Sequence, residues 1–167
     1  GVVGFDLCAA EVGFPHDLHR EALKVCQARG VPITIHAGED LGPESIDLAL
    51  RCGADRIGHG IAVVEDCRWD DTGTLLDAGP VASQLLDRQV PLEVCITSNL
   101  QTKQWTADAH PFGRMYRAGF NVTLNTDNRL QSGTTLAAEF QLAADTFALS
   151  DDDLDRIDAN AAAAAFL

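Results

Sequence analysis

The sequence predicts an α/β fold built on a parallel sheet, and three observations carry that prediction. Short apolar runs alternate with longer stretches of helical periodicity. The apolar runs are nearly continuous, as expected of strands covered on both faces rather than solvated on one. Glycine closes several helical stretches, at Gly30, Gly53 and Gly119.

The elements follow in order. Residues 2–7 form a first apolar run. Residues 17–29 have helical spacing, with Leu18, Ala22, Leu23 and Cys26 on one face. Residues 31–35 read as a second strand, 44–52 as a helix and 56–59 as a third strand. A helix over 80–88 places Pro80 in its first turn, where the missing amide proton costs nothing. Residues 92–96 read as a fourth strand, 111–118 as a helix and 121–124 as a fifth strand. Two helices close the pattern, over 134–148 and from 151 onward, with Ser150 and Asp153 resembling a capping box. Strands separated by helices imply βαβ units. Five such units fit five-eighths of an eight-stranded barrel, which needs about 250 residues, or a complete open sheet. Periodicity does not choose between them.

Composition narrows the partners. The 167 residues suggest one domain, without linkers or low-complexity tracts beyond the terminal alanines. The formal net charge is -13, from 25 acidic and 12 basic residues. That balance argues against nucleic acid, whose binding rests on clustered Lys and Arg. It would also repel an anionic membrane. No apolar stretch reaches the roughly 20 residues of a membrane span, and no secretory signal is visible. Five cysteines, at 8, 26, 52, 67 and 95, form neither a Cys-x-x-Cys pair nor an even set. A reducing, cytoplasmic setting is the simple expectation. The start and the end are both abrupt, inside a strand and a helix, so a longer native protein is expected.

Function in parallel α/β folds gathers at the C-terminal ends of strands. Here those ends carry Asp6, then His36-Ala37-Gly38-Glu39-Asp40, then His59 between two glycines. Thr97-Ser98-Asn99 and Asn125-Thr126-Asp127-Asn128 follow at the fourth and fifth strands. Five strands thus deliver ionisable or amide groups to one rim. Other positions have plainer readings: His16 and His19 as solvated, His110 as leading into a helix, Trp69 and Trp105 as loop residues packed locally. Asp127 alone would serve equally to cap a turn. His36, His59 and Asp127 are nitrogen and oxygen donors suited to zinc, with Glu39 a nearby carboxylic acid.

The order of the motifs is more specific than any one of them. His36-Ala-Gly-Glu39, Arg56-Ile-Gly-His59-Gly, Ser98-Asn99, His110-Pro111 and Leu124-Asn-Thr-Asp127 run in register through nearly the whole chain. Together with Val3-Gly4-Phe5-Asp6-Leu7, they resemble the adenosine deaminase family of metal-dependent barrel hydrolases. The resemblance implies a (β/α)8 TIM-type barrel, of which residues 1–167 supply strands 4 to 8 as the C-terminal portion of one domain. It implies one Zn2+ per site and hydrolytic deamination of adenosine, or a close purine nucleoside, to inosine and ammonia. His36 and Asp127 would be metal ligands. Glu39 would protonate N1 of the purine. His59 would orient and help deprotonate the water, from which Asp127 would accept a hydrogen bond. Ala9 stands where a backbone amide would meet N3, and Asn128 stands where the family often has Asp facing N7. An amide NH2 donates to N7 without taking up a proton.

The family's first-strand His-x-His pair does not occur in this sequence. An upstream barrel segment carrying that pair is therefore expected, and this segment alone is expected to be inactive. The alternatives are a deaminase of adenine or another adenine-containing metabolite, or an inert paralogue that acts as a binding protein.

Overall fold

Five parallel strands lie side by side in chain order in the computed structural model, which describes residues 1–167. They are β1 (Phe5–Leu7), β2 (Ile33–Ala37), β3 (Arg56–His59), β6 (Leu92–Val94) and β7 (Val122–Leu124), paired β1-β2-β3-β6-β7. A two-stranded antiparallel hairpin, β4 (Cys67–Trp69) with β5 (Leu75–Ala78), lies apart from them. An open doubly wound sheet reverses its strand order at a switch point. This order never reverses, so the sheet is the singly wound succession of a (β/α)8 barrel, and the open-sheet alternative falls.

The register explains the two faces. Leu7 pairs with Ile35, Ile35 with Ile57, Ile57 with Leu92 and Leu92 with Val122, which makes one continuous apolar row. Ile35, Ile57, Leu92 and Val122 are fully buried beneath the helices. Burying each such side chain is worth about 1.5–3 kcal/mol. Successive strand residues point to opposite faces, so Thr34, His36, Arg56, Gly58 and Glu93 point inward. There Thr34 Oγ1 donates to Glu93 Oε2 at 2.5 Å, and Arg56 Nε stands 3.0 Å from Glu93 Oε1. The inner face is thus polar, where the sequence suggested nearly unbroken apolar strands.

The helical layer comprises α1 (Arg20–Ala28), α2 (Pro43–Arg51), α3 (Pro80–Arg88), α4 (Ile96–Lys103), α5 (Phe112–Arg117), α6 (Arg129–Ser132), α7 (Leu136–Phe147) and α8 (Asp151–Ala164). Pro43 and Pro80 occupy first-turn positions. The Asp66 carboxylate accepts the Val81 and Ala82 amides at 2.8 and 2.9 Å, capping α3 across the chain. The capping box at Ser150 and Asp153 is present. No helix is long and apolar enough to cross a membrane, and all five cysteines are free.

Several expectations are corrected. The stretch 17–29 splits into a 3₁₀ turn, His16–His19, and α1. Only Leu23 of its expected apolar face is fully buried, while Leu18 is 66 % exposed. The fourth strand stops at Val94 rather than at residue 96, and Ile96 already opens α4. The β4–β5 hairpin, α4 and α6 were not expected. Trp69 belongs to β4 rather than to a loop, and its Nε1 donates to the Val64 carbonyl at 2.9 Å.

Candidate active site

The rim at the C-terminal ends of the strands holds a cavity of about 400 Å³ lined by Asp6, Cys8, His36, His59, Asp127 and Asn128, among others. That volume suits a nucleoside-sized ligand. Each side chain arrives by a distinct backbone device. His36 sits within β2. Its neighbour Gly38 takes a left-handed φ of 71°, and a Cβ there would meet Ile46 at 2.7 Å, so the turn requires glycine. His59 ends β3 with a left-handed φ of 62°. Asp127 follows β7 with a φ of 53°. Such backbone in residues other than glycine is uncommon and clusters at functional sites.

A buried polar chain runs behind the cavity. His59, Asn99 and His110 are 1 %, 0 % and 3 % exposed. His59 Nε2 lies 3.3 Å from Glu39 Oε2. Asn99 Nδ2 donates to Glu39 Oε1 at 3.2 Å and lies 3.1 Å from His59 Nδ1. His110 Nε2 stands 3.3 Å from Asn99 Oδ1, and the Phe112 amide donates to His110 Nδ1 at 3.1 Å. Ser98 Oγ donates to Asp127 Oδ2 at 2.7 Å. Asn128 Oδ1 accepts the Gln131 amide at 3.1 Å as the N-cap of α6, which leaves its NH2 free to donate.

Burial sets the electrostatics. It raises the Glu39 carboxyl above the ordinary carboxylate range, and the charges of Asp40 and Asp127 push the same way. Burial also lowers His59 and His110 to about 4, with His36 adding to the fall of His59 and His59 to that of His110.

The donor set fits a zinc ion. Ligand atoms of Asp6, Cys8 and His36 all lie within 4.8 Å of one another, and the Asp127 carboxylate lines the same cavity. Imidazole nitrogen, carboxylate oxygen and thiol sulfur are the ligands zinc prefers. The tightest cluster thus pairs His36 with Asp6 and Cys8, whereas the sequence paired it with Asp127.

Other expectations part from the structure. Ala9 lies outside the main cavity and lines a smaller neighbouring one of about 30 Å³. His16 is buried rather than solvated, with its Nε2 3.2 Å from Ser45 Oγ; His19 is exposed, as expected. His110 is part of the buried chain and not only a lead into a helix. Trp105 lies between α4 and the next turn, with its ring 6.0 Å from that of His110. Glu11 was missed. Only 4 % exposed, its carboxylate accepts the backbone amides of Glu39, Asp40 and Leu41 at 3.4, 3.0 and 2.7 Å. It thereby holds the turn that presents Glu39. The only signal in the sequence was an acidic residue in a loop, which reads as solvated.

A singly wound barrel segment with histidines and carboxylates on its C-terminal rim defines a metal-dependent barrel hydrolase. The chain belongs to the adenosine deaminase family, whose profile matches residues 1–167. It is 43 % identical over 169 residues to the adenosine deaminase of Mycolicibacterium vanbaalenii, covering all of this chain and 46 % of that protein. It is similar in structure to adenine deaminase from Arthrobacter aurescens, with a TM-score of 0.86 and 28 % identity over 99 % of this chain and 47 % of the other. It also resembles the N6-methyl-AMP deaminase of Arabidopsis thaliana, with a TM-score of 0.80 and 29 % identity over 100 % of this chain and 46 % of the other. The chain therefore spans about half the length of the relatives it matches.

Proposed function

We propose that the complete protein hydrolyses the 6-amino group of adenosine or a close purine nucleoside, releasing ammonia, and that residues 1–167 form the C-terminal portion of its one barrel domain. The observation that carries this reading is the hydrogen-bonded cluster of half-buried Glu39 with buried His59 and Asn99, from which His59 lines the cavity together with His36 and Asp127. His36 and Asp127 would hold zinc, completed by a His-x-His pair from an upstream segment. Bound zinc supplies a Lewis acid that makes water nucleophilic near neutral pH.

The protein groups then divide the work. Water adds to C6 of the purine. Glu39, whose hold on a proton burial strengthens, gives a proton to N1, which makes C6 a better electrophile. The C6–N6 bond breaks, one proton of the water leaves with ammonia, the other restores Glu39, and the oxygen stays on the ring as a carbonyl. Asn128 offers an NH2 to N7 because its oxygen is occupied by the α6 cap. Ala9 contributes its backbone amide toward N3 from the rim. The acidic surface suits a small neutral substrate and disfavours nucleic acid and anionic membranes. Five free cysteines accord with a cytoplasmic setting.

Likeness to an adenine deaminase keeps the free base as a second substrate class. Release of ammonia from adenosine, AMP and adenine, and of methylamine from N6-methylated adenosine, by the complete, zinc-loaded protein tests the reading. Turnover of adenosine is expected. Turnover of another purine alone would reassign the substrate, and no release from any of them would overturn the deaminase.

A further inference from the structure

We propose that Asp6, Cys8 and His36 form a three-donor site for a thiophilic divalent cation, with the Cys8 thiolate as one of its ligands. The proposal deepens the metal site of the deaminase reading, whose His36 it shares, and is independent of the reaction that the metal serves.

The backbone builds the site. β1 and β2 run parallel, with Asp6 opposite Thr34 and Leu7 opposite Ile35. Residue 8, one step beyond β1, therefore follows alongside His36. Side chains alternate along an extended chain, so residues 6 and 8 face the same way, and both line the main cavity with His36. Ligand atoms of the three lie within 4.8 Å of one another, and His36 Nε2 is 3.7 Å from Asp6 Oδ1. Two donor atoms on one tetrahedral zinc, at bond lengths of about 2.0–2.3 Å, stand about 3.3–3.6 Å apart. A small adjustment of the side chains thus lets this pair share an ion. The His36 ring is held for the task, edge-on to the ring of His59 with centroids 5.0 Å apart.

These three are also the unpaired side chains of the rim. Glu39, His59 and Asn99 engage one another, Asp127 accepts from Ser98, and Asn128 caps α6. Asp6, Cys8 and His36 make no hydrogen bond to any other residue, and the 3.7 Å between the first and the last is too long for one. Their lone pairs are free for a cation, and two further carboxylates on the same cavity, Glu93 and Asp127, favour positive charge there. Cys95 lines that cavity too, but it is 6 % exposed and its Sγ donates to the Glu93 carbonyl at 3.4 Å. Cys8 is exposed and is the sulfur that stands beside His36. A thiolate is a soft donor, which favours zinc and cobalt over magnesium and manganese. The metal takes the place of the thiol proton, which passes to solvent. Water or the Asp127 carboxylate fills the remaining position.

The test strips the complete protein of metal, loads it with cobalt and reads its absorption. A sulfur-to-cobalt charge-transfer band in the near ultraviolet is expected, and it is expected to vanish in Cys8→Ala. Losing a group that merely orients a ligand costs about 10- to 100-fold in metal affinity, so Cys8→Ala is expected to weaken zinc by about a hundredfold or more against a chelator, and Asp6→Asn by about tenfold or more. N-ethylmaleimide, located by mass spectrometry, is expected to label Cys8 in the metal-free protein and to be blocked there by zinc. A cobalt spectrum without the band overturns the proposal, as does the same band in Cys8→Ala. Labelling of Cys8 at one rate with and without zinc overturns it too, and an unchanged zinc affinity in Asp6→Asn removes the three-donor site. Absence of deaminase activity toward every purine, with the band present, would instead strike the proposed reaction and leave the thiolate ligand standing.

Discussion

The His36 ring lies directly over the Cα of Gly58 on the neighbouring strand. A Cβ at position 58 would stand 2.5 Å from His36 Cδ2 and 3.1 Å from its Cα. The backbone atom cannot yield, so the ring would have to turn away. Gly58→Ala is therefore expected to weaken zinc binding by about tenfold or more, as misdirected metal ligands do. Competition against a chelator measures it; an affinity equal to the parent's would show that His36 does not need this groove.

Glu39→Gln removes a proton donor and keeps the shape of the site. Turnover of adenosine is expected to fall by about 10² to 10⁴, with the zinc content unchanged. His36→Ala, by contrast, is expected to lose metal and activity together. Metal analysis beside ammonia release separates the two roles, and loss of zinc from Glu39→Gln would make Glu39 a ligand.

Glu11→Gln leaves one acceptor oxygen where three backbone amides now converge on two. Turning an NH2 toward N–H groups costs about 1–3 kcal/mol. Denaturant unfolding is expected to show that loss. The turn carrying Glu39 is expected to loosen, so kcat should fall more than KM rises.

His110 supplies a pH signature. In the unfolded chain it takes up a proton near 6.5, whereas burial in the fold holds it at about 4. Between those values the unfolded state binds more protons, so stability is full above pH 6.5 and drains away as the pH falls toward 4. The span corresponds to about 3 kcal/mol for this group alone. His59 shifts in the same direction. Unfolding free energies from pH 7 to pH 4.5 should decline along this course, and His110→Phe should flatten part of the slope.

Much of this was legible in the sequence, for identifiable reasons. Strand ends announced themselves because Gly58, Gly60 and Gly38 flank the histidines, and the β3 bounds Arg56–His59 were read to the residue. Ser150 and Asp153 formed the expected capping box because both partners lie within one turn. What escaped depends on partners distant in the chain. Glu11 meets amides about 30 residues away, and the His16–Ser45 contact spans 29, so neither leaves a local pattern. The three- and four-residue strands of the hairpin are too short to show a period, and its turn is organised by Asp70 accepting the Thr72 and Thr74 amides. Val94 and Ile96 both read as strand because an apolar residue opens α4 immediately past the strand end.

The left-handed backbone at Asp127 sets stability against chemistry. The residue is exposed, so its side chain contributes little packing, while its φ of 53° costs a conformational penalty that glycine would not pay. Selection for heat resistance alone would favour glycine there. A thermostabilised descendant of this protein could therefore gain melting temperature through the very substitution that empties its rim of a carboxylate, and any such programme needs an activity screen at every round.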